Sequence, residues 1–524
     1  MSGRFERHAR TVAALTVASR FSGLARDAVL SRIFGVGAAM DAFAFGFMVP
    51  NLFRRLFGEG ALTASFLPTY TRLVDSDPAA ARRAATLVVG GAMALLGVLV
   101  LLGEVLVWRL SVAGIVEGQP ARLLMIMLPF APLICTTALL GAMLQARRRF
   151  GPTAAAPILL NLAVVAAALA VATGRSEESG IVAVAVSVLV AGAAQVAWSW
   201  VALRRATRGE VVSPSAASDA AARLEVGGVV RRTLPMVIGL GVLQVNTLLD
   251  GVIASWPTAV GPTVLGVDYP LEPGAMATLA WAQRLYEFPL GVFGIAVATA
   301  IFPALSRLSS EPAEFLETLR RGVRLVLFIG LPASAGLVLV AEPLTAVILE
   351  GRAFTAADTV ATAGVLAAYA AAVWAYSLNQ VLVRACYARG DTRSPVRIGI
   401  LLVGLNATLN LLLIWTPLGV AGLAVSTATC AMLQPWLLLR TLRSNGVGPV
   451  LDSQVRVSAF RSLASTAAMV VVVLAVRSLL PPATASWWSA LATLGACVVA
   501  GGVVFAAGGA VWRMPELRWI LGRS

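Results

Sequence analysis

No lysine occurs in this chain; all 41 of its basic residues are arginine. Codon bias in a GC-rich genome accounts for arginine in place of lysine, but not for where each arginine sits. Histidine is nearly absent too, the one example being His8 in the polar N-terminal tail. That excludes a Ser/His/Asp triad and an HExxH metal helix. The four cysteines, Cys135, Cys386, Cys430 and Cys497, are scattered through apolar segments with no CxxC and no His-rich partner. They read as buried, inert thiols, with neither a metal site nor a disulfide framework. A Walker-type glycine loop is missing, and Arg4, Arg7 and Arg10 lead into a long span rather than a cleavable signal.

Charge of either sign is scarce. Only 13% of the 524 residues are charged, against 58% hydrophobic. A soluble domain carries about 25% charged residues, so this composition is that of a polytopic membrane protein. The formal charge is +15. A basic balance can signal nucleic acid, but most arginines here lie in short loops between apolar spans. Membrane orientation explains them, and no nucleic-acid partner is expected. With no enzyme signature and no cofactor motif, the chain is expected to transport, driven by a gradient or by binding asymmetry.

A bilayer crossing needs about 20 residues, and on that scale the chain divides into fourteen transmembrane helices. Their expected limits are 11–34, 40–70, 84–113, 122–147, 153–173, 180–205, 229–256, 274–305, 317–343, 357–387, 395–415, 419–442, 457–480 and 486–512. Arginines crowd alternate loops, for example Arg147, Arg148 and Arg149, then Arg204, Arg205 and Arg208, then Arg320 and Arg321. The opposite loops hold little beyond Arg122, Arg175, Arg352 and Arg477. The positive-inside rule therefore puts both termini in the cytoplasm.

The first twelve spans look duplicated. Phe66-Leu-Pro-Thr-Tyr-Thr-Arg72-Leu73 is echoed by Phe302-Pro-Ala-Leu-Ser-Arg307-Leu308. Gln145-Ala-Arg-Arg-Arg-Phe-Gly, with Asn161 beyond, is echoed by Tyr387-Ala-Arg-Gly-Asp-Thr-Arg with Asn406 beyond. Each echo falls about 235–245 residues on. The expected organisation is an N-terminal lobe over 1–208, a linker over 209–228, a second lobe over 229–445, and two further helices within 446–524. Six spans per repeat relate the lobes by an axis along the membrane normal, with a binding site between them.

The stretch Ser19 to Gly60 carries charge where a membrane helix should not. It holds Arg20, Arg26, Asp27, Arg32, Asp41, Arg54, Arg55 and Glu59. One such residue at mid-bilayer disfavours insertion by roughly 2.5–3.5 kcal/mol. Arg20 and Asp27, seven apart, share a helix face, and Arg26 points away from Arg20. Pro50 should bend the second span. Arg55 and Glu59 are spaced to pair, whereas Arg54 has no acid three or four residues away. In the eighth span Arg284 stands beside Glu287 and before Pro289, while Arg384 in the tenth sits near an end and should snorkel. Arginines gathered in one cavity suit a phosphate or diphosphate, because guanidinium stays charged and gives paired hydrogen bonds to phosphate oxygens. The competing reading is mutual neutralisation by nearby acids. A second constellation comprises Asp250 with Gln244 and Asn246, Asn406 and Asn410 four apart, and Ser426 with Thr427. It suits a small cation such as Na⁺, or else serves as polar glue between helices.

Ser19-Arg20 through Gly23-Leu24-Ala25-Arg26-Asp27, Asp41-Ala42-Phe43 and Pro50-Asn51-Leu52-Phe53-Arg54-Arg55-Leu56-Phe57-Gly58-Glu59-Gly60 together resemble the MurJ (MviN) family. Arg284-Leu-Tyr-Glu287-Phe-Pro289 and Gly390-Asp391-Thr392-Arg393 resemble later motifs of the same family. These are flippases for lipid II, the undecaprenyl diphosphate-linked disaccharide pentapeptide of peptidoglycan synthesis. They belong to the multidrug/oligosaccharidyl-lipid/polysaccharide exporter superfamily. The resemblance implies an all-α, V-shaped pair of six-helix lobes, with two C-terminal helices forming a groove for the lipid tail, in the bacterial cytoplasmic (inner) membrane. It implies substrate contacts at Arg20, Arg26, Asp41, Asn51, Arg54 and Arg284. It further implies a Na⁺ site at Asp250, Asn406, Asn410 and Thr427, where Asn410 replaces an acid. Na⁺ and the membrane potential both remain open as driving forces. Membrane lipids and the cell-wall synthesis machinery are the expected partners besides lipid II. The alternatives are a polysaccharide-lipid flippase, a cation-coupled drug antiporter and a structural scaffold. A drug antiporter should have acids dominating its cavity, and a scaffold needs no buried charge.

Overall fold

The computed structural model describes residues 2–58, 60–116, 118–172, 176–210, 215–291 and 295–520. Its elements are helical except for one small hairpin. Helices dominate because a backbone in hydrocarbon must satisfy its N–H and C=O groups within its own segment. In order they are α1 (Ser2–Phe34), α2 (Ala38–Phe53), a wide π turn (Arg54–Gly58), α3 (Ala61–Ser76), α4 (Pro78–Val112), α5 (Gly118–Met127), α6 (Phe130–Ala146), α7 (Gly151–Val171), α8 (Glu177–Ala206) and α9 (Ala216–Ala259). A hairpin of β1 (Thr263–Val264) and β2 (Val267–Asp268) follows. The chain continues with α10 (Ala275–Pro289), α11 (Ile295–Arg307), α12 (Pro312–Leu339), α13 (Ala341–Leu349), α14 (Ala356–Ala370), α15 (Val373–Ala388), α16 (Arg393–Leu413), α17 (Val420–Ser444), α18 (Ser453–Ser478), α19 (Trp487–Val511) and α20 (Pro515–Ile520).

Among the described residues, eleven helical stretches are long and apolar enough to cross a membrane: α4, α5–α6, α7, α8, α9, α12, α14–α15, α16, α17, α18 and α19. Three of the fourteen expected spans fall outside that set, each for a visible reason. α1 carries Arg20, Arg26, Asp27 and Arg32 along one helix. The second is broken into α2 and α3 by the π turn that follows Pro50. The eighth comprises α10 and α11, each shorter than a crossing, and a second wide turn opens at Leu290 after α10. These are the same spans that carry the candidate arginines. The turns at Arg54 and Leu290 also recur at the offset of the sequence echoes.

The helices form two compact units, residues 1–277 and 278–524. In the first, Phe66 and Tyr70 of α3 pack on Ala80, Ala81 and Ala84 of α4 and on Leu139, Leu140 and Leu144 of α6. α9 joins this core through Ala222 and Val229. Part of the expected 209–228 linker is thus the start of a long helix. It is fastened by Arg72 to Glu225 at 2.6 Å, Arg232 Nη2 to Thr69 Oγ1 at 2.8 Å, and Ser218 Oγ to Asp77 Oδ2 at 2.9 Å. In the second unit the matching core joins Leu305 of α11, Phe315, Leu319 and Val323 of α12, and Val381 and Leu382 of α15. α18 enters it through Val455, and α18 and α19 pack on each other. The turn of the hairpin puts Leu265 and Gly266 at φ 51° and 82°.

Candidate functional site

The first span places a guanidinium between two helices. Arg26 Nε and Nη2 donate to Asp27 Oδ1 at 2.9 and 2.6 Å, and Nη1 donates to Asn161 Oδ1 on α7 at 3.1 Å. Asn161 in turn donates from Nδ2 to Ser22 Oγ at 2.9 Å, and the Phe47 ring centroid lies 5.7 Å from the Arg26 guanidinium carbon. Three of the donors are thereby used, and an arginine has about five. Helix spacing suggested Asp27 on the face of Arg20; the structure pairs it with its neighbour Arg26. Adjacent residues do not face each other on a helix, but the long arginine stem curls back far enough. Arg20 is exposed, as are Val17 and Phe21, and bonds to no described residue.

In the second span Asn51 Nδ2 donates to the Phe47 carbonyl at 2.9 Å, and Arg54 Nε donates to Asn51 Oδ1 at 3.1 Å. The amide thus orients Arg54 as its helix widens into the π turn, a device frequent at functional sites. Gly58 closes that turn; a Cβ there would meet Ala138 Cβ at 3.3 Å and Arg54 Cγ at 3.5 Å. Thr63 Oγ1 donates to the Gly58 carbonyl, supplying an acceptor bond at the break. Arg55 is exposed. Its expected partner Glu59 lies outside the described residues.

Asp41 has a different task from the arginines. It is 0% exposed and accepts from Thr258 Oγ1 at 2.7 Å, Gly274 N at 2.6 Å and Ala277 N at 2.7 Å. A carboxylate on the first N–H groups of α10 caps that helix and meets its positive end. Gly274 adopts φ +107°, and a Cβ there would lie 2.7 Å from Val36 Cγ1. Asp41 therefore anchors the segment after the hairpin to α2, and its oxygens are occupied by that work.

Arg284 stands on α10, where Leu279, Trp281, Ala282 and Leu285 are buried. It is the exposed position among that helix's described side chains and forms no pair with Glu287. On α4 the exposed positions include Leu101 and Leu102 instead, at 63% and 61% exposure.

The second constellation divides between the units. In the first, Asp250 is buried and accepts from Asn246 Nδ2 at 3.3 Å. In the second, Asn410 Nδ2 donates to Asn406 Oδ1 at 3.0 Å, Asn406 Nδ2 to Thr427 Oγ1 at 3.1 Å, and Ser426 Oγ to the Asn406 carbonyl at 2.9 Å. Among the described residues no three His, Cys, Asp or Glu side chains gather as metal ligands. The donors available to a cation are amide, hydroxyl and single-carboxylate oxygens, which suit a hard monovalent ion rather than a transition metal. Missing from the sequence-based set are Asn161, Thr258 and a tyrosine cluster around α10; only Asn161 left a trace, as part of the internal echo.

Residues 30–492 match the family profile described as lipid II flippase MurJ. A probable lipid II flippase of Vibrio cholerae is 34% identical over 459 residues, covering 83% of this chain and 82% of the relative. One from Haemophilus influenzae is 31% identical over 82% of this chain and 84% of its own length. Among solved structures, a lipid II flippase in an inward closed conformation superposes with TM-score 0.75 at 19% identity, over 97% of this chain and 99% of that one. An inward-facing multidrug resistance MATE family transporter of the MOP superfamily superposes with TM-score 0.64 at 12% identity, over 84% of this chain and 98% of that one.

Proposed function

The chain belongs to the lipid II flippase MurJ family, and we propose that its arginines carry the diphosphate of lipid II across the bilayer. It is a transporter, not an enzyme, and a multi-pass membrane protein. In this reading the eleven apolar stretches are joined by α1, α2–α3 and α10–α11 to make fourteen crossings. Twelve of these form two repeats and two follow, with both termini in the cytoplasm of a bacterial cell.

The headgroup enters a cavity open to the cytoplasm. Arg26, Arg54 and Arg284 supply N–H groups to the diphosphate oxygens, and the repeats then move to expose it outside while the polyprenyl tail stays in lipid. Arginine is suited to this because each stays ionised at any membrane depth and pairs bidentately with phosphate. Arg20 and Asn51 assist, the latter by orienting Arg54. Asp41 acts through α10, and Asp250, Asn406, Asn410 and Thr427 respond to Na⁺ or hold the helices. The observation that carries the reading is that the spans breaking the apolar rule are the ones bearing arginines. Arg54 is oriented by a neutral amide, and Arg284 is exposed on an otherwise buried helix.

Arg54→Ala and Arg284→Ala should abolish translocation of labelled lipid II in proteoliposomes while leaving membrane insertion and thermal unfolding near wild type. Wild-type translocation by either variant would contradict the proposal. Depletion of the protein in cells should arrest wall synthesis and cause lysis, whereas a polysaccharide-lipid flippase would only strip surface glycan.

A further inference from the structure

Three tyrosines from three helices meet beside Arg284. The Tyr286 ring of α10 lies 4.7 Å from that of Tyr369 on α14, inclined 24°, and 5.6 Å from that of Tyr376 on α15, inclined 22°. Offset stacking at such distances adds to the burial energy of the rings. One residue-turn away, Gln283 Nε2 donates to the Tyr369 hydroxyl at 3.1 Å. Tyr369 itself is 0% exposed, so the slot that receives Tyr286 is part of the helix core.

Gln283 and Tyr286 are three apart and so occupy one face of α10. At about 100° per residue, Arg284 projects roughly 130° around the helix from the middle of that face. Asp41 holds the first N–H groups of α10; beyond that cap its rotation is set by side chains, among which the ring stack with the Gln283 bond is the most specific contact. Turning α10 by one residue would pull Tyr286 out of its slot and carry the Arg284 guanidinium toward apolar neighbours, where an unpaired charge is strongly disfavoured.

The geometry points to Tyr286, Tyr369, Tyr376 and Gln283 as positioning residues that set the rotation of α10 and hold Arg284 toward the diphosphate. This rests on the reading of Arg284 as a substrate ligand. The stack needs the aromatic face. Tyr286→Phe keeps the sandwich and Tyr286→Leu removes it.

Two measurements separate the aiming of Arg284 from its role. First, Arg284→Cys is labelled with a charged, water-soluble thiol reagent in chains carrying Tyr, Phe or Leu at 286, against the parent chain with its four buried native cysteines. Labelling should be near equal for Tyr and Phe and about tenfold slower for Leu, the scale expected from losing two ring contacts. Gln283→Leu should slow it in the same direction. Equal labelling in all four backgrounds overturns the inference. Second, lipid II transport is measured with Arg284 intact. Tyr286→Leu should raise the apparent KM about tenfold with a smaller change in turnover, and Tyr286→Phe should restore it. Slower labelling with unchanged KM would leave the aiming intact and instead overturn Arg284 as a ligand. If Tyr286→Leu does not fold, Tyr376→Leu removes one face of the sandwich and takes its place in both measurements.

Discussion

One asparagine in each unit reaches toward a neighbouring helix, and the two do so with different partners. In the first unit, Asn161 completes a charged set with Arg26 and Asp27. In the second, Asn406 sits in a neutral chain with Asn410, Thr427 and Ser426. The charged set keeps part of its surface open, the Arg26 side chain being 11% exposed and holding N–H groups beyond those already used. The second set is buried, with Asn406 at 2% exposure and both Asn410 and Ser426 at 0%. A guanidinium in the membrane needs an acid to remain there, and its fork of donors exceeds what one acid and one amide can absorb. A network of amides and hydroxyls can satisfy itself and be buried whole. One asparagine thus serves a charged group in the first unit, and another a group of amides and hydroxyls in the second.

That contrast breaks most sharply at Asp27. Asp27→Ala leaves Arg26 without its carboxylate and should cost about 3–5 kcal/mol, seen as loss of expressed protein or a large fall in unfolding temperature. Replacing both partners, Arg26→Met with Asp27→Leu, should recover most of that stability and none of the lipid II transport. Recovery of transport as well would mean that Arg26 is only a structural charge.

The neutral set is expected to be more forgiving. Asn406→Leu removes the acceptor used by Asn410 and the donor used on Thr427, for a loss of about 1–3 kcal/mol. Run in Na⁺ and in choline buffers, the same unfolding experiment tests the ion reading. If Na⁺ acts through this group, it stabilises the wild type and not the variant; equal wild-type curves in both buffers would leave helix packing as the role.

The smallest expected effect lies in the loops of the two units. Asp77 accepts from the N–H of Ala80 and from Ser218, which holds its carboxyl below the usual 3.8. At Asp391 burial raises the pKa, but the N–H and hydroxyl of Ser394, the Asn445 amide and the Arg393 N–H outweigh it and bring the group below 3.8. A carboxyl depressed on folding stabilises the fold above its unfolded value and loses that contribution as pH falls through the folded value. The wild type should therefore soften below about pH 4. Asp77→Asn and Asp391→Asn should each flatten part of that acid limb, by a degree or two in unfolding temperature. An unchanged limb in both would show that these carboxyls do not govern it.

The membrane class, the run of apolar spans and the three spans that violate them were legible from the chain, because hydropathy and charge are local properties. The π turn after Pro50 was foreseeable as a bend for the same reason. Pairings were less legible. Asp27 was placed by periodicity on the face of Arg20, yet its carboxylate is within reach of the flexible Arg26 stem. Asp41 stood among the substrate contacts, but its acceptors are filled by Thr258, Gly274 and Ala277, more than two hundred residues away. No spacing rule links Tyr286 to Tyr369 and Tyr376, since their meeting depends on how three helices cross.

The amino-acid sequence alone determined that this protein lives in a membrane and carries guanidinium groups within helices that hydrocarbon disfavours. Tertiary structure decided which neighbours orient those charges and which of them is exposed. The reason is one of range: insertion energies sum along a single helix, whereas hydrogen bonds require a donor and an acceptor within about 3 Å, brought there by helix packing from distant parts of the chain.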